Sequence, residues 1–201
     1  MIKYFYLFYF LASAAFAKYQ GIEDMNIDIS NIEMLIDHKE IKSKIFQTVQ
    51  KIDEDYKNEE IVVLMLLKGS IIFASDFIRE LKTPFTLETI TCSSYGLKGT
   101  QRGGLTIQGL EKLNLESKNV LIIDDIFDSG NTLSNVRKEI LKKNPKSVKS
   151  VVLLLKDTPK RLKNVELPEY FLFEIEDKFV IGYGLDYKEY LRGLKDIYFI
   201  R

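Results

Sequence analysis

Cysteine and histidine are nearly absent from this sequence of 201 residues, which contains only Cys92 and His38. A single cysteine cannot form an internal disulfide, so the fold does not need an oxidising compartment. One cysteine and one histidine also cannot supply the ligands of a zinc cluster. A metal bound to this protein should therefore be a hard ion held by oxygen atoms, such as Mg²⁺.

A net charge is also lacking, because 29 lysines and arginines balance 29 aspartates and glutamates. No stripe of lysine and arginine dominates any segment, which argues against a general nucleic-acid binder. The sequence has no internal repeat, no low-complexity tract and no linker rich in proline or serine. With 46% hydrophobic residues, its length suits one globular domain, which we expect to cover residues 25–201.

The N-terminal extension, residues 1–24, differs from the rest of the chain. Lys3 precedes an apolar run over residues 4–17 that ends in Ala-Phe-Ala, the pattern of a secretory signal with its cleavage site. This run is too short to span a bilayer comfortably. Three interpretations follow: a leader, a short membrane anchor, or a start codon assigned too far upstream, in which case Met25 opens the protein.

Apolar runs alternate with amphipathic segments along most of the chain, and this alternation predicts the fold class. The predicted helices cover residues 39–55, 71–81 and 133–141, and the predicted strands cover residues 61–67, 87–93, 120–124 and 148–155. Such an order predicts an α/β fold with a central, mostly parallel sheet flanked by helices. After Thr158 the pattern weakens into short aromatic pieces at residues 170–181 and 197–200, which we expect to form a small hood over the carboxyl ends of the strands.

Three acids and a turn of small residues follow the third predicted strand. Its last residue, Asp124, and the adjacent Asp125 would emerge at the carboxyl end, where open α/β sheets bind ligands. After Asp128, the turn reads Ser129-Gly130-Asn131-Thr132. Its backbone N–H groups, at a helix N-terminus, suit an anion such as phosphate. The pattern indicates a site for a phosphorylated sugar, although an ordinary strand-turn-helix with Asp128 as the helix cap would also contain it.

This motif resembles the phosphoribosyl pyrophosphate (PRPP) motif of the type I phosphoribosyltransferases. The resemblance implies that Asp124 and Asp125 address the ribose hydroxyls, directly or through Mg²⁺, and that residues 128–132 hold the 5′-phosphate. It also makes Asp128 the candidate general base, which accepts the purine N7 proton as N9 attacks. Asn131 stands where relatives usually have Lys or Arg, so phosphate binding should depend more on backbone N–H groups.

Two further segments are similar to the hypoxanthine-guanine phosphoribosyltransferases. Lys68 and Gly69 match the pyrophosphate loop of that family, in which the peptide before the lysine can be cis. Ser94 and Tyr95 match the catalytic loop, which would close over the substrates and exclude water. Residues 102–104, Arg-Gly-Gly, depart from the family pattern. Without the resemblance, these segments would be a strand ending in a turn and a surface loop.

The last two matching segments concern the purine. Lys156 follows a predicted strand, and its family counterpart donates a hydrogen bond to the 6-oxo group. Residues 174–187 match the family segment almost residue for residue, with glutamate replacing a proline. By that resemblance Phe179 stacks on the purine and the Val180 backbone contacts its edge. Asp186 also belongs to the purine site and would bind Mg²⁺ through water. Arg192, after this segment, would contact the pyrophosphate.

The resemblance therefore implies a type I phosphoribosyltransferase fold and a 6-oxopurine salvage enzyme of the hypoxanthine-guanine family. It would form IMP or GMP and pyrophosphate from hypoxanthine or guanine and PRPP, with Mg²⁺. Two alternatives remain: a non-catalytic regulator that senses PRPP or nucleotides with the same fold, and a xanthine-preferring enzyme. Lys156 disfavours adenine.

The resemblance also bears on location and partners. We expect a cytoplasmic homodimer or homotetramer with no nucleic-acid partner and no stable membrane partner. Because PRPP and nucleotides are intracellular, a misassigned start is the favoured explanation of residues 1–24.

Overall fold

The computed structural model describes residues 31–94 and 105–201. Two predicted features lie outside these ranges: the N-terminal extension and the loop that contains Tyr95. The described residues form nine strands, three α-helices and one short 3₁₀ helix. The strands are β1 (Ile32–Ile36), β2 (Ile61–Leu67), β3 (Phe85–Ser94), β4 (Leu105–Gln108), β5 (Asn119–Phe127), β6 (Ser147–Asp157), β7 (Tyr170–Glu176), β8 (Phe179–Ile181) and β9 (Ile197–Ile200). The helices are α1 (His38–Asp55), α2 (Ile71–Glu80) and α3 (Asn131–Leu141), and the 3₁₀ helix is Leu110–Lys112.

Six strands form the main sheet, in the order β4-β3-β2-β5-β6-β7. Five of them are parallel, and β4 adds an antiparallel edge beside β3. The side chains of β2, β5 and β6 are almost all buried, which explains why these strands read as continuous apolar runs. The predicted α/β fold with a mostly parallel central sheet is confirmed.

Helices α2 and α3 pack on this sheet through apolar side chains at helical spacing, such as Phe73 and Phe77 of α2. Helix α2 lies against β2 and β5, whereas α3 lies against β4 and β6. Helix α1 begins after Asp37, whose Oδ1 accepts the backbone N–H groups of Lys39 and Glu40 at 2.8 and 3.0 Å. None of the helices in the described ranges combines the length and the apolar character that crossing a membrane would require.

The described residues divide into two compact units. The larger, Lys42–Asp177, contains the main sheet, and the smaller contains residues 31–41 and 178–201. The smaller unit has a three-stranded antiparallel sheet of order β1-β9-β8. Tyr198 and Ile181 lie in its core. The terminal segments therefore form a small unit of their own, as predicted; its location over the strand ends stays a prediction.

The predicted location of residues 170–176, which form β7, is wrong. These residues were expected in the hood, but β7 is an edge strand of the main sheet and pairs in parallel with β6. Leu172 and Ile175 are its buried side chains. Their spacing of three residues breaks the alternation that identifies a half-buried strand, so the sequence pattern appears weak there.

Candidate active site

The end of β5 forms the floor of the candidate site because this strand loses one neighbour before it ends. Its pairing with β2 stops at Ile123, whereas its pairing with β6 continues to Phe127. Asp124 and Asp125 therefore lie within the strand, three and two residues before its end, where only one side is paired. The strand is longer than predicted because the buried Phe127 continues the pairing with β6.

The two adjacent aspartates are close to each other and poorly hydrated. Asp124 is buried, and Asp125 is half-buried. The backbone N–H of Asp125 donates to Oδ1 of Asp124 at 3.0 Å, and the N–H of Ile126 donates to Oδ1 of Asp125 at 3.0 Å. Burial, and next the charge of Asp125, raise the pKa of Asp124 well above its usual range. Such a pair favours a bound cation that neutralises it.

Gly69 brings the loop after β2 against this pair. A Cβ atom at Gly69 would lie 1.8 Å from Oδ2 of Asp125, so any side chain there would displace the carboxylate. The preceding residue, Lys68, is exposed, and the Leu67–Lys68 peptide is cis, as the family resemblance implies. Position 69 therefore needs glycine for two reasons: a side chain would displace Asp125, and it would also obstruct the predicted approach to pyrophosphate.

The turn after β5 presents the start of helix α3 to the site. Gly130 has a left-handed backbone, with φ of 80°, and a Cβ there would lie 2.7 Å from the Phe127 ring. Oγ of Ser129 accepts the backbone N–H of Asn131 at 3.3 Å. Thr132 continues the first helical turn. The early N–H groups of a helix have no intrahelical partner, which suits the predicted phosphate contact.

The side chain of Asn131 is directed along the helix. Its Oδ1 accepts a hydrogen bond from Nδ2 of Asn135 at 3.1 Å, and the same Nδ2 donates to the Asn131 carbonyl at 2.7 Å. Asn135 was not singled out in the sequence. The asparagine that replaces the usual Lys or Arg thus forms a hydrogen bond within α3.

A cavity of about 350 Å³ joins these elements. Its lining includes Gly69, the two aspartates of β5 and the turn that starts α3. Cys92 also lines it, and burial raises the pKa of its thiol to about 12, so the thiol stays protonated at neutral pH. The cavity has the carboxylates and backbone N–H groups that a ribose phosphate requires.

Lys156 and Asp128 lie side by side at the carboxyl ends of β6 and β5. Lys156 is only 7% exposed, and its ammonium group lies 3.5 Å from Oδ2 of Asp128. Oδ1 of Asp128 is buried, and no donor reaches it from the described part of the chain. Asp128 therefore has one oxygen that no described donor occupies, and a general base needs such an acceptor.

Asp177 is a site residue that the sequence analysis did not identify. Its Oδ1 lies 3.6 Å from Nζ of Lys156. Oδ2 accepts a hydrogen bond from Oγ1 of Thr158 at 2.9 Å and lies 3.2 Å from Nζ of Lys160. The contacts from Thr158 and Lys160 hold the pKa of the Asp177 carboxyl below its usual range. The available signal was a carboxylate directly after a strand.

The terminal unit contains the remaining predicted site residues. Phe179, on β8, exposes 53% of its surface and makes an edge-to-face contact with Tyr187 at 6.0 Å between ring centroids. Val180 is buried and pairs with β9. The exposed face of Phe179 is available to an aromatic ligand.

Asp186 and Arg192 form an ion pair in the same unit. Oδ1 of Asp186 lies 2.7 Å from a terminal nitrogen of Arg192, and Oδ2 accepts the backbone N–H of Glu189 at 2.8 Å. Arg192 also donates to the carbonyl of Gly184 at 2.8 Å. The loop thus fixes a guanidinium and a carboxylate next to each other.

The catalytic loop is described only at its edges. Ser94 is the last residue of β3 and pairs with Leu105 of β4. Tyr95 lies outside the described residues, so its predicted role rests on the sequence.

Comparisons with known proteins identify the family of this chain. Residues 31–188 match the family model described as the phosphoribosyl transferase domain. A hypoxanthine phosphoribosyltransferase from Salmonella typhimurium is 40% identical over 167 residues, which cover 81% of this chain and 92% of the relative. A hypoxanthine-guanine phosphoribosyltransferase from Aquifex aeolicus is 38% identical, with 84% and 94% covered. This chain belongs to the hypoxanthine-guanine phosphoribosyltransferase family.

Solved structures of that family have the same fold. A hypoxanthine-guanine phosphoribosyltransferase from Bacillus anthracis matches with a TM-score of 0.73 at 36% identity, covering 84% of this chain and 97% of the other. A hypoxanthine phosphoribosyltransferase from Trypanosoma cruzi, a mutant in a ternary complex with substrates, matches with a TM-score of 0.76 at 33% identity, covering 84% and 94%. The family, the fold class and the enzyme class predicted from the sequence are confirmed.

Proposed function

We propose that this protein transfers the phosphoribosyl group of PRPP to N9 of hypoxanthine or guanine, which yields IMP or GMP and pyrophosphate. The observation that carries the proposal is the juxtaposition of Asp128 and Lys156 at 3.5 Å. In a 6-oxopurine, N7 and O6 lie next to each other on one edge of the ring. A carboxylate and an ammonium at this separation can address these two atoms together.

The choice of purine follows from the charge of Lys156. An ammonium group only donates hydrogen bonds, so it suits the carbonyl oxygen of hypoxanthine or guanine. The 6-amino group of adenine would oppose its own donors to the ammonium and leave it without an acceptor. Lys156 is therefore the residue that we propose discriminates between oxo and amino purines.

The sugar donor would occupy the cavity at the end of β5. The turn Ser129–Thr132 would hold the 5′-phosphate through backbone N–H groups, and Asp124 and Asp125 would address the ribose hydroxyls. Lys68 and Gly69 would contact the pyrophosphate, because the lysine supplies charge and the glycine permits close approach.

The reaction exchanges one bond at C1 of the ribose for another. As the bond from C1 to the pyrophosphate oxygen breaks and the bond from N9 forms, positive charge spreads over the ribose. Nearby carboxylates, including Asp125, stabilise this charge. Asp128 accepts the proton that leaves N7, so the purine ring of the product nucleotide is uncharged. The donor-free Oδ1 of Asp128 supports this role.

A divalent cation fits the site only as a partner of the substrate. Among the described residues, no group of three or more His, Cys, Asp or Glu side chains could hold a metal ion. Asp124 and Asp125 offer two carboxylates, and Mg²⁺ commonly binds through one or two carboxylates together with substrate phosphates. When bound, Mg²⁺ would neutralise charge on the pyrophosphate leaving group. Asp186 would contribute through water.

The other roles follow the family resemblance. Phe179 would stack on the purine, and the Val180 backbone would contact its edge. Arg192 would contact the pyrophosphate, since its planar guanidinium matches phosphate oxygens. Ser94 and Tyr95 would belong to a loop that excludes water during the transfer.

We also propose the cellular setting that the substrates require. PRPP and nucleotides are intracellular, so the enzyme would act in the cytoplasm. We expect a homodimer or homotetramer, which light scattering of the purified protein would detect.

One assay tests the function and its alternatives. The protein is incubated with PRPP and Mg²⁺ together with hypoxanthine, guanine, xanthine or adenine, and nucleotide formation is followed. We expect IMP and GMP, with no comparable product from adenine. Faster conversion of xanthine would identify a xanthine-preferring enzyme. PRPP binding without product from any base would support the regulator instead.

A further inference from the structure

The ammonium group of Lys156 lies between two carboxylates at nearly equal distances. Nζ is 3.5 Å from Oδ2 of Asp128 and 3.6 Å from Oδ1 of Asp177. Lys156 is buried, and the two carboxylates reach its ammonium group at nearly the same distance, so both contribute to where the ammonium lies. If Asp177 were neutral, the attraction toward Asp128 would be unopposed.

The main sheet places Asp177 beside Lys156. In the pairing of β6 with β7, Lys156 lies opposite Ile175 and Asp157 lies opposite Glu176. Asp177 is the next residue after this pairing ends, so its side chain returns toward Lys156. The backbone of Lys156 is also held, since its carbonyl accepts a hydrogen bond from Arg161.

Asp177 has its own anchors, which keep it ionised and in place. Oδ2 accepts a hydrogen bond from the buried Thr158 at 2.9 Å, and Nζ of Lys160 lies 3.2 Å away. A carboxylate with a hydroxyl donor and a nearby second cation stays negatively charged at neutral pH. Its other oxygen, Oδ1, is the one that faces Lys156.

We propose that Asp177 is a positioning residue for purine recognition: it holds the Lys156 ammonium away from a closed ion pair with Asp128. In this arrangement Lys156 can donate to the 6-oxo group while Asp128 keeps an oxygen available for the N7 proton. Asp177 itself does not touch the purine. This inference rests on the proposed function and extends it by naming the residue that sets the specificity contact.

The test compares Asp177→Asn with two matched variants. Asp177→Glu keeps the charge, and Glu174→Gln removes a charge from an exposed position on β7, the strand that precedes Asp177. For Asp177→Asn we expect KM for hypoxanthine to rise about tenfold, the usual effect of losing one hydrogen bond to a charged group. KM for PRPP should stay at the wild-type value because the sugar site is unchanged. Asp177→Glu should recover part of the purine affinity, and Glu174→Gln should behave as wild type.

A second variant protects the test against poor folding of Asp177→Asn. Thr158→Val removes the hydroxyl that anchors Asp177 and keeps the shape of the side chain, so KM for hypoxanthine should rise in the same direction but less. An unchanged KM for hypoxanthine in the folded variants, with an active wild type, would overturn the inference and leave the function standing. Equal rises in both KM values would show a merely structural role and would also overturn it. A wild type that forms no nucleotide would overturn both.

Discussion

Asp128 and Lys156 lie side by side because the register of two parallel strands makes them neighbours. Phe127 of β5 pairs with Leu155 of β6. Asp128 and Lys156 directly follow these two residues and therefore reach the same end of the sheet. Their side chains are 3.5 Å apart. A proton acceptor and a hydrogen-bond donor for one purine edge are thus fixed by backbone pairing.

Replacing Lys156 by glutamine tests the donor. The variant keeps a hydrogen-bonding side chain but loses the charge, so we expect KM for hypoxanthine to rise about tenfold or more. The ratio of adenine to hypoxanthine turnover should rise as well, because an amide can accept from the 6-amino group. Steady-state kinetics with both bases measure this. Lys163→Gln, an exposed lysine in the segment after β6, is the control; an equal effect in both variants would refute the assignment.

Replacing Asp124 by asparagine should separate stability from function. The change removes a buried carboxyl whose ionisation is disfavoured by burial and by Asp125, so in the presence of EDTA we expect the free energy of unfolding to rise by roughly 1–2 kcal/mol. Nucleotide formation should fall strongly because the ribose and cation contacts are lost. Urea denaturation and the PRPP assay measure the two effects. A less stable variant would show that contacts in the folded chain already offset the cost of burying the Asp124 carboxyl.

Gly69→Ala tests the close approach of the loop after β2. The added methyl would lie 1.8 Å from Oδ2 of Asp125, so the carboxylate must move. A side-chain end can move at small cost, so we expect a stability loss under about 1 kcal/mol, but a clear rise in KM for PRPP. Thermal unfolding and initial-rate kinetics provide the two values. A wild-type KM for PRPP would mean that Asp125 does not need its observed position.

Glu169 offers a pH-dependent test of the fold away from the site. It accepts hydrogen bonds from Arg137 at 2.7 Å and from the N–H of Ser150 at 2.7 Å. Burial raises the pKa of its carboxyl, but the contacts with Arg137 and Ser150 outweigh burial and leave it lowered. A carboxyl whose pKa is lower in the folded state stabilises the fold above its unfolded pKa and loses that contribution as the pH falls through the folded value.

We therefore expect Glu169→Gln to lower the free energy of unfolding by about 1–2 kcal/mol at neutral pH. The difference from wild type should shrink as the pH falls below the ordinary glutamate pKa of about 4.3 and through the lower pKa of the folded state. Urea denaturation over this pH range measures it. A difference that is constant with pH would show that shape, and not charge, accounts for the loss.

The sequence predicted the elements whose patterns are local. The buried parallel strands and α1 were identified because apolar runs and helical spacing appear within a few residues, as in β2. Strands β1 and β4 were not predicted, and both are short. Strand β1 pairs with the distant β9, and β4 pairs with β3, from which residues 95–104 separate it. Their formation depends on tertiary partners that a local pattern does not contain.

The same division applies to the site. Asp124, Asp125 and the turn after Asp128 form a local motif and were recognised directly. Asp177 was missed because its contact with Lys156 depends on the register of β6 with β7, and β7 had been assigned to the hood. The pairing of Asp157 with Glu176 brings the following residue, Asp177, close to Lys156.

The central claim is that Asp128 takes the proton from the purine at the end of β5. The most direct measurement is a single-turnover experiment on Asp128→Asn, in which enzyme with bound PRPP and Mg²⁺ is mixed with hypoxanthine and IMP formation is followed. We expect the rate to fall by roughly 10²–10⁴, the contribution of a general base, while calorimetry gives an unchanged Kd for PRPP. A variant that forms IMP at the wild-type rate would contradict the account.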